Sequence, residues 1–245
     1  MLGLFGLVPA AAACTLLTLV DAHTVQFASN EDFIKPGVIW FEPGDRGHYG
    51  RVNLGFRDRH AQGSMNEAGL AFDAAALDPV PWTADPELPT PDNLIEQIMD
   101  ECATVDEAIA YFEAHNCRHL RDSQFLFADA SGASAAVAWL PKTGLSVVRM
   151  QGDHQVLTNT RLEAYRYRDP RFTRAEQVLA SGGSAAEVLE AVHQRGPGGF
   201  TSYSVVYDLQ ARTLALTNLA HFEEVVSLDL MEQLARGPFT VKMKR

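Results

Sequence analysis

The order in which hairpin patterns and amphipathic helices alternate most limits the folds open to this chain. "TLLTLVDAHTVQFASN" (15–30) predicts two short strands around a turn at Asp21-Ala22, and "GVIWFEP" (37–43) and "YGRVNLGF" (49–56) read as further strands. "GLAFDAAAL" (69–77) is strand or helix by pattern alone. Two helices follow. "PDNLIEQIMDEC" (91–102) carries Leu94, Ile95, Ile98 and Met99 at helical spacing, and "TVDEAIAYFEAHN" (104–116) opens on the capping box Thr104 to Glu107. Strand patterns return at 123–141, with turn residues at 129–132, and continue in "GLSVVRM" and "HQVLTN". A second helix pair, "RFTRAEQVLAS" and "SAAEVLEAVHQ", is split by Gly182-Gly183, and its second member opens on another capping box, Ser184 to Glu187. "TSYSVVYDLQARTLALTNL" (201–219) is a hairpin turning at 208–212, and "DLMEQLAR" predicts a final helix closing the chain. Strands and helices come in blocks, without the β-α-β alternation of a parallel sheet. Antiparallel sheet with packed helices, an α+β class, is the expectation.

A chain of 245 residues, 47% hydrophobic, can build one sizeable core. Five prolines in "DPVPWTADPELPTPD" (78–92) mark a long surface loop. The net charge of −11 argues against nucleic acid as a partner, since phosphate binding needs clustered Lys and Arg. No apolar run reaches the ~18 residues of a membrane span. The eight histidines show no metal-ligand spacing, so neither metal nor cofactor is expected. Cys102 and Cys117 read as inert, semi-buried thiols flanking the helix at 104–116.

Cys14 stands apart. "MLGLFGLVPAAAA" is a short apolar leader ending in small residues with an A-x-A cleavage pattern, although no Lys or Arg precedes it. The expected organisation is a leader or propeptide over 1–13 and one domain over 14–245. A secreted or periplasmic location fits the leader, and a cytoplasmic protein that removes its own propeptide is the alternative. "AAAC" also loosely resembles a lipoprotein site, where Cys14 would be acylated. Cleavage after Ala13 would put a thiol and a free α-amine on one residue. The amine, with a pKa of about 7.7–8.0, can accept a proton near neutrality, so nucleophile and base arrive together and no catalytic histidine is required.

The stretches "CT", "SNEDF", "PGVIWFEP…HYGRVNLGF", "GSMNEAGLAFDAAAL", "VLTNTRL", "RFTRA" and "SYSVVYDLQARTLAL" occur in an order that resembles the choloylglycine hydrolase/penicillin V acylase group. These linear amide C–N hydrolases are N-terminal nucleophile hydrolases, and isopenicillin N acyltransferase-like proteins are related to them. The resemblance implies a four-layer αββα sandwich of two mainly antiparallel sheets. It also implies hydrolysis of a small-molecule acyl amide through a thioester, with acyl transfer to an amine as the alternative. An inactive secreted or lipid-anchored binding protein on the same scaffold is the reading from another class. Homo-oligomerisation is left open. Carried over, Cys14 is the nucleophile, Asp32 holds its α-amine, Asn159 contributes to the oxyanion site, and Arg171 steadies the nucleophile, with Arg174 the fallback. Asn30 supports Asp32 from the same turn, and Asn66 belongs to the signature around Gly63 and Gly69, both expected at positive φ. The sequence departs from the group at Ala28-Ser29, where many members carry an arginine. It departs again at Ala76, where bile-salt hydrolases carry a second oxyanion asparagine.

Overall fold

The structure, a computed structural model, describes residues 14–162, 169–196 and 199–243. The expected leader lies outside the described residues. The first strands are β1 (Thr15–Val20), β2 (Val25–Asp32), β3 (Val38–Glu42), β4 (Arg51–Gly55), β5 (Ala61–Asn66) and β6 (Ala71–Ala76). Helices α1 (Leu94–Glu101) and α2 (Val105–Ala114) follow, and then β7 (Ser123–Ala128), β8 (Ser134–Leu140), β9 (Gly144–Arg149) and β10 (His154–Leu157). After α3 (Pro170–Ala180) and α4 (Ala185–Val192) come β11 (Arg195–Gly196), β12 (Gly199–Asp208), β13 (Thr213–Asn218) and β14 (Val225–Asp229). The described chain ends with α5 (Leu230–Leu234) and β15 (Phe239–Lys242).

The strands form two antiparallel sheets. One runs β10-β1-β2-β12-β13-β14, with β11 on β12; the other runs β15-β3-β4-β5-β6-β7-β8-β9. Period-two alternation decides what each sheet buries. Leu16, Phe27, Val205 and Tyr207 of the first sheet meet Leu54, Met65, Leu126 and Ala136 of the second in the inter-sheet core. The opposite face of the first sheet, with Leu17 and Ala28, packs on α3 and α4 through Ala175, Val188 and Leu189. Phe72, Phe125 and Phe127 of the second sheet carry α1 and α2 through Ile98, Met99 and Phe112. These layers are the expected αββα sandwich.

Both expected capping boxes form, at Thr104–Glu107 and Ser184–Glu187. Asp21 closes the first hairpin by accepting the backbone N–H groups of His23 and Thr24. The proline-rich loop is clasped by buried Asn116, whose Nδ2 donates to the carbonyls of Asp85 and Leu88, both at 2.8 Å.

The chain end departs from expectation. "DLMEQLAR" contributes the short α5, but β15 follows it and pairs with β3, while β14 precedes it. The glycine reading is half right. Gly69 sits at φ +88° in the β5–β6 turn, whereas Gly63 has no positive φ. Gly63 is small because a Cβ there would lie 2.4 Å from Asp73 Oδ2.

Candidate active site

Cys14 immediately precedes β1, which is hydrogen-bonded on both sides. Thr15 pairs with Asn30 of β2, and Leu16 pairs with Leu157 of β10. Continuing those registers sets Cys14 opposite Glu31 on one side and Asn159 on the other. Directly opposed residues of an antiparallel pair share a face. Tyr203 of β12 is in turn paired with Glu31. Asn159, Cys14, Glu31 and Tyr203 thus form one row across four chain segments, at the end of the inter-sheet layer. Cys14 and Glu31 are each 2% exposed.

Continuing the β1–β2 register puts Glu31 directly opposite Cys14, with Asp32 next along the strand. Burial pushes the thiol well above its ordinary pKa, and the carboxylates of Glu31, Asp73 and Asp32 push it further. Left to itself this sulfur stays protonated at neutral pH and needs a base.

Arg171 gathers the remaining groups. It lies in the first turn of α3, behind the N-cap Asp169. Its Nη1 donates to the Cys14 carbonyl at 3.0 Å, and Nη1 and Nη2 both donate to Asn159 Oδ1 at 3.2 Å. Nε and Nη2 grip Asp169 at 3.1 and 2.6 Å. Asp32 Oδ2 lies 3.7 Å from Nη1. Burial would raise Asp169, but the hydrogen bonds and charge of Arg171 hold it below the usual carboxylate range. Asp32 is different. Burial pushes it up to about 7, against the Thr201 hydroxyl and the Arg171 charge. With Asn159 Oδ1 facing Arg171, its Nδ2 donates to the Ala76 carbonyl at 2.8 Å. The other hydrogen of that amide makes no hydrogen bond among the described residues. Ala76, at the end of β6, thus serves through its backbone by aiming Asn159.

Two of the supporting residues lie elsewhere. Asn30 is inside strand β2, not in a turn with Asp32. It faces the helical layer, donating to the Leu189 carbonyl at 2.9 Å and accepting from the Ser204 hydroxyl at 2.6 Å. Asn66 caps the β5–β6 turn. Its Nδ2 donates to the carbonyls of Met99 and Cys102, and its Oδ1 accepts from the N–H groups of Ala68 and Leu70. All its capacity is spent on the scaffold. Asn66→Ala is therefore expected to lower stability by about 2–4 kcal/mol, leaving buried backbone groups unpaired, while KM stays unchanged; denaturant unfolding and steady-state kinetics check this.

The sequence reading missed Glu31 and Asp73. Ser29, standing where an arginine was expected, donates its hydroxyl to Asp73 Oδ2 at 2.7 Å across the two sheets. Burial raises both Glu31 and Asp73; the charges of Asp73 and Asp32 raise Glu31 further, while the Ser29 hydroxyl and the Ala74 N–H hold Asp73 back. Like Asp32, these carboxyls hold protons more tightly in the folded chain than in the unfolded one. Their contribution to stability is therefore greatest below the unfolded value of about 4 and falls as pH rises toward about 7. The melting temperature should drop between pH 5 and pH 7.5, and Asp73→Asn should flatten that drop; calorimetry across the range decides it.

Cys102 and Cys117 are buried, and burial pushes their thiols up to about 12 and about 11. Among the described residues no three His, Cys, Asp or Glu side chains stand together as a metal site, and no helix is long and apolar enough to cross a membrane.

The whole sandwich superposes on a penicillin V acylase from Agrobacterium tumefaciens, with a TM-score of 0.70 and 19% identity over 94% of this chain and 90% of that one. The fold is that of the N-terminal nucleophile hydrolases. A variant of conjugated bile acid hydrolase from Clostridium perfringens shares it with a TM-score of 0.76 and 15% identity, over 95% of this chain and 97% of that chain. The Caenorhabditis elegans ortholog of N-acylethanolamine-hydrolyzing acid amidase gives a TM-score of 0.57 and 15% identity, over 80% and 93% of the two chains. No protein-family model and no curated protein sequence matches the chain. In this chain Cys14, Asn159 and Arg171 converge at the start of β1.

Proposed function

We propose that this chain is an N-terminal cysteine amidohydrolase that cleaves linear, non-peptide C–N amides of small molecules. The observation that carries this reading is the single guanidinium of Arg171 joining the Cys14 carbonyl, Asn159 and the Asp32–Asp169 carboxylates around one sulfur. The activities that name the structural neighbours, on penicillin V, conjugated bile acids and N-acylethanolamines, agree in bond type.

In the working form residues 1–13 are removed and Cys14 carries a free α-amine. Asp32 Oδ2, which has no hydrogen-bond partner among the described residues, is the anchor for that amine. The thiolate attacks the amide carbonyl, and the free N–H of Asn159 meets the developing oxyanion. Such a donor is worth about 2.7–4 kcal/mol in the transition state. The leaving nitrogen takes its proton from the α-ammonium, and a thioester on Cys14 remains. Water, giving a proton to the amine, releases the acid.

Intact-mass spectrometry followed by labelling with an electrophilic amide analogue tests the reading. A mass lacking residues 1–13, with the label on Cys14, supports it. A retained leader, or lipid on Cys14, sinks it. Supplying an amine acceptor and weighing condensed product against free acid separates hydrolysis from acyl transfer.

A further inference from the structure

Two buried carboxyls beside the nucleophile have no task in that scheme. Glu31 stands directly opposite Cys14 in the continued β1–β2 register, buried on the same face, and its Oε2 has no hydrogen-bond partner among the described residues. Asp73, reaching across from the second sheet, is fixed through Oδ2 by the Ser29 hydroxyl, and its Oδ1 is likewise without a partner. The site is built around this carboxylate, for Gly63 leaves the space that a Cβ would fill against Asp73 Oδ2. Glu31 is 2% exposed and Asp73 is 1% exposed. Two orphaned carboxylate oxygens in a dry layer are costly, and their persistence needs an explanation.

We propose that Glu31 and Asp73 form a proton relay that drains the Cys14 thiol, with Glu31 the catalytic acceptor at sulfur and Asp73 the positioning residue that ends the relay. The proposal rests on Cys14 being the nucleophile. The S–H bond breaks as an O–H bond forms on Glu31, and Glu31 passes a proton from its other oxygen toward Asp73 Oδ1, directly or through one water. The α-amine then serves only the leaving nitrogen and the hydrolytic water. When the acid departs, the regenerated thiolate takes its proton back from Glu31 and Asp73 returns one to Glu31, so the cycle balances. Two close carboxyls in a dry site share one proton, so the pair carries one negative charge that can be neutralised. Ser29 and the Ala74 N–H favour that charge on Asp73.

The charged and titratable groups facing the pair are Cys14 of β1, Asp32 with its Arg171 partner, and Tyr203 and Tyr207 of β12. Both tyrosine hydroxyls are buried and held far above their ordinary pKa by burial, so they stay neutral across the working range.

The test is the rate of Cys14 alkylation by iodoacetamide between pH 5 and pH 10 on the full chain as purified, separated from Cys102 and Cys117 by peptide mass. With the relay, wild type reacts at neutral pH along an acid limb set by the pair. Glu31→Gln and Asp73→Asn are each expected to slow alkylation at pH 7 by about tenfold or more, a modest share of the 10²–10⁴ range of general-base contributions, and to regain the wild-type rate in alkali. Ser29→Ala, which removes a donor from ionised Asp73, should move the acid limb to higher pH. If the carboxyls only repel the thiolate, Glu31→Gln and Asp73→Asn will alkylate faster at pH 7; that result, or no reaction of wild-type Cys14 at neutral pH, overturns the proposal. Because no substrate enters this measurement, a chain that hydrolyses no amide but still labels at Cys14 along this acid limb would leave the relay standing. Conversely, a labelled and active Cys14 that is indifferent to all three variants would sink the relay alone.

Discussion

Cys14→Ala is expected to reduce amide hydrolysis by about 10⁴–10⁶-fold, the range seen when a covalent nucleophile is deleted, while the fold survives. The side chain is small and buried at the edge of the inter-sheet core, so its loss leaves little void. Cys14→Ser separates geometry from chemistry. The hydroxyl fits the same place opposite Glu31, yet an alcohol is far harder to ionise than a thiol, whichever neighbouring group takes its proton. Both variants should show wild-type thermal unfolding within a few degrees and no label from an electrophilic amide. A serine variant turning over at the wild-type rate would remove Cys14 from the chemistry.

Arg171→Met is expected to be costly in two distinct ways. The Arg171 side chain is 14% exposed and that of Asp32 is fully buried, so removing the cation leaves Asp32 and Asp169 facing each other without a counter-charge. Stripping one partner from a buried pair typically costs about 3–5 kcal/mol, and Asp32 answers by holding its proton more tightly still. The second effect is on rate. Asn159 loses the partner of its Oδ1, and the Cys14 carbonyl loses its donor, so the amide aimed by Ala76 is free to turn. A loss of about 10²–10³ in kcat, with a smaller change in KM, matches the removal of one oxyanion donor. Arg171→Lys should recover much of the stability and little of the rate, because a single ammonium cannot reproduce a planar fork that meets the Cys14 carbonyl, Asn159 and Asp169 at once. Thermal unfolding read beside single-turnover kinetics separates the two effects. An Arg171→Lys variant with full activity would mean that charge alone matters at this position.

Local chemistry made much of the fold legible. Thr104 with Glu107, Ser184 with Glu187, and Asp21 ahead of Thr24 each announce an element boundary through hydrogen bonds that close within a few residues. What stayed hidden depends on partners far along the chain. Strand β14 presents Val225 and Val226 to solvent at 52% and 55% exposure, so it lacks the apolar alternation that marks a half-buried strand. Strand β15 is four residues long and is defined by β3, some two hundred positions earlier. The site divides the same way. Cys14, Asp32, Asn159 and Arg171 stand in short recognisable stretches, and the structure brings them together. Asn30 was misplaced because its face is set by the parity of β2, which a turn reading ignores. Glu31 and Asp73 carry no motif. Their meeting follows from the register of β2 against β1 and from the stacking of one sheet on the other, and only then does an isolated acidic residue in "SNED" or "AFDAA" acquire meaning.

Strand β1 lies between β2 and β10, paired along both of its edges. Chain ends are ordinarily the loosest parts of a protein, and a reactive group placed on one would sample many orientations before each encounter. Here the head of the proposed working chain inherits the rigidity of a central strand, so the cost of ordering the attacking atom is met once, during folding, and not again at every turnover. Amide protons at Leu16 and Leu17 should consequently exchange with solvent as slowly as those of the deepest core strands, although they lie only two and three residues from the amino group proposed to be freed at Cys14.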